Sequence, residues 1–138
     1  MSVPAALRRE VCARAEERCE YCGLAQAGQE AAFHIDHVVP VVSGGAAVPE
    51  TLALACVSCS LRKAARQQAP DSETGEMAPL FHPRREVWSR HFRWDGVRVM
   101  GLTATGRATV VALDLNRPLA LAIRAEEVHW ERHPPHRI

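Results

Sequence analysis

Leu7, Val11 and Ala15 recur every fourth position among Arg and Glu, with Pro4 near the start, so the pattern predicts an amphipathic helix over residues 3–19. A tight turn, Cys19-Glu20-Tyr21-Cys22-Gly23, follows, and a linker through Gly28 leads to a short strand over 33–39 that must end at Pro40. Ser43-Gly44-Gly45 reads as a loop, and the apolar run 52–55 enters a second cysteine pair. From Ser58, Leu61, Ala64 and Ala65 alternate with basic residues in a helical pattern that must stop before Pro70. Residues 71–79 are rich in turn formers and read as a connector. After Trp88, Phe92 and Trp94, the alternation over 97–100 predicts a strand. Thr105 is the expected cap of a helix through Leu113, and Asn116 ahead of Pro118 the cap of another through Val128. The end from His133 is expected to fray.

Length turns these elements into an α+β chain of one domain over 1–138, with a core at about 15–70 and a packed extension at about 79–132. The extension has too few apolar residues for a core of its own. A content of 47% hydrophobic and 24% charged residues is ordinary for a globular protein and argues against bulk disorder. No apolar stretch reaches the roughly 20 residues needed to cross a bilayer, and the amino end lacks an apolar signal segment. The expected setting is therefore cytoplasmic, without a membrane partner, and a Cys-x-x-Cys pair there is expected to bind metal in preference to forming a disulfide.

The pairs Cys19/Cys22 and Cys56/Cys59 supply four soft thiolates at matched spacing, the donor set of one tetrahedral Zn2+. Four thiolates close the coordination sphere, so the ion would staple the fold and perform no chemistry. It would also bring two uncompensated negative charges, taking the formal +1 to about −1. Cys12 has no partner at ligand spacing and reads as a buried free thiol.

Between the pairs, Asp36-His37 sets a hard oxygen ligand beside a proton acceptor. Phosphodiester hydrolysis needs both kinds of group: a base for water, and a divalent cation against the charge building on the phosphate. His37 is the candidate base and Asp36 the candidate ligand of Mg2+ or Mn2+. Strand alternation puts His34 on the side of Asp36. The 17 Lys and Arg nearly balance the 16 Asp and Glu, so total charge makes no case for nucleic acid, but Lys63 is the sole lysine and the rest is arginine. Arg62, Lys63 and Arg66, directly after the second pair, are the candidate phosphate contacts.

Taken together, Cys19-x-x-Cys22, Phe33-His34-Ile35-Asp36-His37-Val38-Val39-Pro40, Gly44-Gly45, Glu50-Thr51-Leu52-Ala53-Leu54-Ala55-Cys56 and Cys59-Ser60-Leu61-Arg62-Lys63 resemble the HNH (His-Asn-His) endonuclease family in its four-cysteine branch. The segment from Pro79 to Arg85, with Trp88, His91 to Trp94 and the stretch from Gly101 to Thr109, resembles a tail of small bacterial members, with no role attached. The resemblance implies a ββα-metal (His-Me finger) nuclease core stapled by zinc, flanked by an amino-terminal helix and a carboxy-terminal α/β extension. It implies His37 as base, Asp36 as metal ligand, and products with 5′-phosphate and 3′-hydroxyl ends.

Two positions depart from that pattern. Thr51 stands where relatives carry an Asn that orients the histidine, and Ser60 where an Asn or His binds the metal. Thr51 offers a hydroxyl in place of an amide, and Ser60 a shorter, weaker oxygen ligand. The expected function is thus a metal-dependent endonuclease acting on double-stranded DNA. The alternative is a non-cleaving nucleic-acid-binding module on the same zinc-stapled fold. A homodimer that aligns two active sites is one expected assembly.

Overall fold

The computed structural model describes residues 3–40 and 44–136, so Ser43 of the glycine loop and residues 137–138 of the expected frayed end lie outside the described residues. Helix α1, Ala5–Arg14, starts directly after Pro4. It stops short of the expected Cys19 because Glu16 and Glu17 take φ of 54° and 57°. Glu17 N–H then bonds back to the Cys12 carbonyl at 3.0 Å, a left-handed closure that satisfies the last carbonyls of the helix. The turn this makes releases Cys19 from the helix and lets it enter the metal-binding loop. Gly23 closes that loop at φ 78°, where a side chain would be strained.

Strands β1, His34–His37, and β2, Leu52–Ala55, pair antiparallel, with His34 opposite Ala55 and His37 opposite Leu52. All four β2 residues are buried, as expected of a continuous apolar run. Helix α2, Val57–Lys63, follows with Cys56 as its cap. These three elements form a ββα unit, with α1 against β2.

Residues 68–79 correct the expected connector. Strands β3, Gln68–Pro70, and β4, Met77–Pro79, form a hairpin. Asp71 builds its turn by accepting from Glu73 N–H at 3.0 Å and the Thr74 hydroxyl at 3.1 Å, while Arg107 clamps the same carboxylate at 2.8 and 3.0 Å. Beyond it lie α3, Trp88–His91, and a second hairpin of β5, Phe92–Asp95, and β6, Arg98–Gly101.

Two expected caps are displaced. Helix α4, Ala104–Ala112, is capped by Thr103, whose hydroxyl accepts from Gly106 N–H at 3.0 Å; Thr105 lies inside the helix and is buried. Gly106 packs so closely on His91 that an added Cβ would lie 2.0 Å from the His91 carbonyl oxygen. Helix α5, Pro118–His129, is preceded by Arg117. Asn116 instead gives its amide to β6, donating to the Val99 carbonyl and accepting from Val99 N–H, both at 2.8 Å. The expected fraying is also corrected as far as 136: His133 Nε2 donates to the Gly96 carbonyl at 2.9 Å, its ring meets Trp94 edge-on, and Pro135 is buried.

One apolar cluster joins the ββα unit to the extension, running from Leu52 and Leu54 through Tyr21 to Phe81, Trp88, Phe92, Val99 and Leu113. Trp88 Nε1 donates to the Tyr21 carbonyl at 3.0 Å, and Phe81 meets the Tyr21 ring edge-on. Burial of each large side chain here contributes roughly 1.5–3 kcal/mol. Among the described residues, no helix is long and apolar enough to cross a membrane.

Candidate metal centre and candidate active site

The Cys19 to Gly23 turn and the start of α2 bring Cys19, Cys22, Cys56 and Cys59 together, with their sulfurs all within 4.8 Å of one another and all four residues buried. Cys22 Sγ lies 3.7 Å from Cys56 Sγ. A tetrahedral Zn2+ with bonds of about 2.3 Å would hold sulfurs roughly 3.8 Å apart. Backbone N–H groups of Cys22 and Cys59 point at Cys19 Sγ and Cys56 Sγ, at 3.5 and 3.4 Å, and favour negative sulfur. Burial pushes the Cys19 thiol well up, and its cysteine neighbours do the same to Cys59. Hydrogen bonds from those neighbours drive Cys56 far below the ordinary thiol range. Four thiols buried at one point oppose one another's ionisation, and a cation among them would offset that cost. The donor set fits zinc. No cysteine is in a disulfide; Cys12, expected to be buried, is partly exposed.

Next to this cluster, α2 packs on β1 along a polar seam. Asp36 is 8% exposed, and its Oδ2 accepts from the Tyr21 hydroxyl at 2.8 Å and faces Lys63 Nζ at 3.3 Å. Lys63 is 1% exposed and also donates to the carbonyls of His37 and Val38, at 3.3 and 3.1 Å. Burial raises the Asp36 carboxyl above its usual range against the opposing pull of Lys63 and Tyr21, so desolvation wins over the ion pair. Both of these contacts fall on Oδ2.

One turn earlier on α2, Ser60 Oγ lies 2.8 Å from His34 Nδ1. Ser60, His34 and Asp36 thus share the seam, as strand alternation predicts for the last two. His37 projects from the other face of β1, and its Nε2 is buried without a hydrogen-bond partner among the described residues. Thr51 does not reach it: its hydroxyl bonds the Ala46 carbonyl and lies 3.1 Å from the Val48 carbonyl.

The three expected phosphate contacts separate. Lys63 is removed from that set, because its ammonium is turned inward onto Asp36. Arg62 is half exposed, its guanidinium 3.2 Å from Ser58 Oγ and 3.8 Å from Asp114. Arg66 is exposed, with Nη2 donating to the carbonyls of Arg62 and Ala112, both at 2.8 Å.

Two residues at these sites, Tyr21 and Arg124, were not singled out from the sequence, and Lys63, expected on phosphate, faces inward instead. Tyr21 sits inside the metal-binding turn with its hydroxyl on Asp36. Lys63 follows Cys59 by four residues, the helical spacing that puts it on the same inward face. Arg124 of α5 is 1% exposed and donates to the carbonyls of Cys22, Leu115 and Val97, at 3.3, 2.8 and 3.0 Å, with its guanidinium over the Trp94 ring. It sets a buried positive charge beside the thiols. The spacing of Ala120, Arg124 and Glu127, all buried, marks that face of α5.

No curated protein and no solved structure gives a significant match to this chain. Residues 19–66 match the family described as HNH endonuclease. That segment spans both cysteine turns, β1, β2 and α2, so this part of the chain is similar to HNH endonucleases and carries a ββα core with a four-cysteine cluster able to hold a metal ion.

Proposed function

We propose that the chain is a metal-dependent endonuclease that hydrolyses phosphodiester bonds of double-stranded DNA, with His37 as the base that takes a proton from the attacking water. The observation that carries this reading is His37 Nε2, a buried nitrogen with no partner among the described residues, one residue from a buried carboxylate. Leaving such an atom unbonded costs roughly 1–3 kcal/mol, so it gains from an incoming group that bonds it, and in the tautomer with Nε2 unprotonated that group is the O–H of a water. Asp36 Oδ1, outside the contacts to Tyr21 and Lys63, and the Ser60 hydroxyl are the groups that would hold Mg2+ or Mn2+. Such an ion supplies neutralisation of the charge that builds on the phosphate. Tyr21 and Lys63 fix the carboxylate in place, and Arg62 and Arg66 are proposed phosphate contacts. A homodimer is one route to cutting both strands, which a concentration-dependent shift from nicked to linear product would register.

Plasmid nicking in Mg2+ or Mn2+ tests the reading. His37→Ala is expected to lose about 10²- to 10⁴-fold in rate while keeping its circular dichroism spectrum. Unchanged cleavage would remove His37 from the chemistry, and global unfolding of the variant would make it a structural residue.

A second reading, a binding module that does not cleave, draws support from the Lys63–Asp36 contact, which already balances the carboxylate's charge. Retention of duplex DNA by the wild-type chain, with no product at any Mg2+ or Mn2+ concentration, is the result that favours it.

A further inference from the structure

A cleft of about 420 Å³ opens between the ββα unit and the extension, one residue past His37. It is lined by Val38 and Val39 after β1, by Arg66 and Gln67 after α2, and by His82 and Arg85 from the tail segment that carries no assigned role. Its charge balance is positive. Lys63 reaches the cleft, but its ammonium is balanced by Asp36. Glu86, the acidic residue in the lining, has Oε1 on His82 N–H at 2.8 Å and Oε2 on His91 Nε2 at 2.9 Å.

Two guanidiniums remain against the one Glu86 carboxylate, which is turned onto His82 N–H and His91, so the lining keeps a single net positive charge. Arg66 is pinned by carbonyls, which hold it in place without neutralising it. Arg85 is exposed and makes no side-chain hydrogen bond or ion pair among the described residues. His82 accepts Arg84 N–H at Nδ1, 3.2 Å away, which fixes the tautomer with its proton on Nε2 and makes that edge a neutral donor. Two forked cations and a ring N–H around a cleft suit the oxygens of a phosphodiester.

We propose that the extension completes the nucleic-acid site: Arg85 and His82, with Arg66 in the lining of the same cleft, grip a backbone phosphate of duplex DNA beside the one presented to His37. This rests on the reading of the chain as acting on DNA, and it gives the tail its role.

The test is fluorescence anisotropy of a labelled duplex at several salt concentrations, with the full-length, zinc-loaded chain in a His37→Ala background so that cleavage plays no part. Arg85→Gln is expected to bind about tenfold more weakly and to lower the slope of log K against log salt by roughly 0.9, the loss of one phosphate contact. Arg85→Lys should keep the slope, and Arg98→Gln, an exposed arginine on β6, should keep slope and affinity. Unchanged affinity and slope in Arg85→Gln overturns the proposal, as does absence of duplex binding by the parent chain. The parallel nicking assay separates the two readings. A wild-type chain that never cleaves, but whose binding depends on Arg85, keeps the cleft and loses the nuclease. A chain that cleaves, but binds independently of Arg85, does the reverse.

Discussion

Two sites share the ββα unit and differ in completeness. The cysteine cluster offers four like donors, sealed from solvent and aimed at one point, with backbone N–H groups behind two of its sulfurs. The seam of Asp36, His34 and Ser60 offers unlike, hard donors already engaged with protein groups: Asp36 with Tyr21 and Lys63, Ser60 with His34. The cysteine cluster is thus suited to a soft ion, while a hard ion at the seam would have to compete with an ammonium.

Breaking the first site is expected to have the largest effect. Cys56→Ser removes both a ligand and the cap of α2. Structural zinc in small domains contributes on the order of 10 kcal/mol, comparable to a whole domain's stability. The variant should lose its folded circular dichroism spectrum and its zinc, whereas the wild-type chain should carry one zinc by elemental analysis. Folded, zinc-free wild-type protein would end the contrast between the two sites.

The seam should respond less, and through charge. Lys63→Met leaves a buried carboxylate without its cation and is expected to cost about 3–5 kcal/mol, read as a lower urea midpoint. Adding Asp36→Asn should return part of that loss, since the unpaired charge is gone. Arg62→Gln, at a half-exposed residue, should change stability by less than about 0.5 kcal/mol. If Lys63→Met instead keeps its midpoint and only weakens DNA binding, Lys63 belongs with the phosphate contacts after all.

That pair of residues shows what the sequence could carry. The cysteine turns, β1, β2 and α2 were legible because their determinants are local: ligand spacing, an apolar run, a proline stop. Arg62-Lys63-x-x-Arg66 is equally local as a string of charges, but which charge turns inward depends on how α2 lies on β1, a contact between residues 26 or more positions apart. The caps failed for a similar reason. Asn116 suits a helix start, yet β6 offers its amide two backbone partners at once. Of the candidate site, Asp36 and Ser60 fall on one seam with His34, while Thr51 spends its hydroxyl on its own loop. The hairpin at 68–79 was hidden because its strands are three residues each and its turn is held by Arg107, far along the chain.

Acid distinguishes the seam carboxylate from one outside it, with opposite signs and a smaller effect. Arg107, then Glu73 N–H, holds the Asp71 carboxyl well below the usual range, so its contribution is full above about pH 3.9 and is lost as pH falls further. Asp36, raised by burial, favours the folded state most below that pH and loses this contribution as pH climbs through its raised pKa. Urea midpoints across pH 3 to 7 should therefore show Asp71→Asn losing its penalty, relative to wild type, toward acid. Asp36→Asn should gain relative to wild type as pH rises. Zinc release is common to each pair and cancels in the difference. Parallel curves for both variants would mean that the two carboxylates have the same environment.

The smallest expected effect is at Ser60, and it bears directly on whether the seam can take a hard ion. The serine hydroxyl is short and is held by His34 Nδ1 at 2.8 Å, on the same face of α2 that carries Lys63. Ser60→Asn puts a longer amide at that point, able to donate to His34 through its nitrogen while its carbonyl oxygen extends toward Asp36. An added oxygen donor should offset part of the competition from Lys63. The concentration of Mg2+ or Mn2+ that gives half-maximal nicking is then expected to fall several-fold with zinc content unchanged, because the four thiolates are untouched. Ser60→Asn/His37→Ala should abolish the gain, since a better-held ion cannot replace the base. The wild-type seam already has Ser60 facing inward, so the amide must fit without displacing His34, and a folded spectrum with normal zinc is the control. A folded, zinc-loaded Ser60→Asn protein whose metal requirement is unchanged would show that residue 60 lies outside the ion's reach, leaving Asp36 paired with Lys63 as a structural contact.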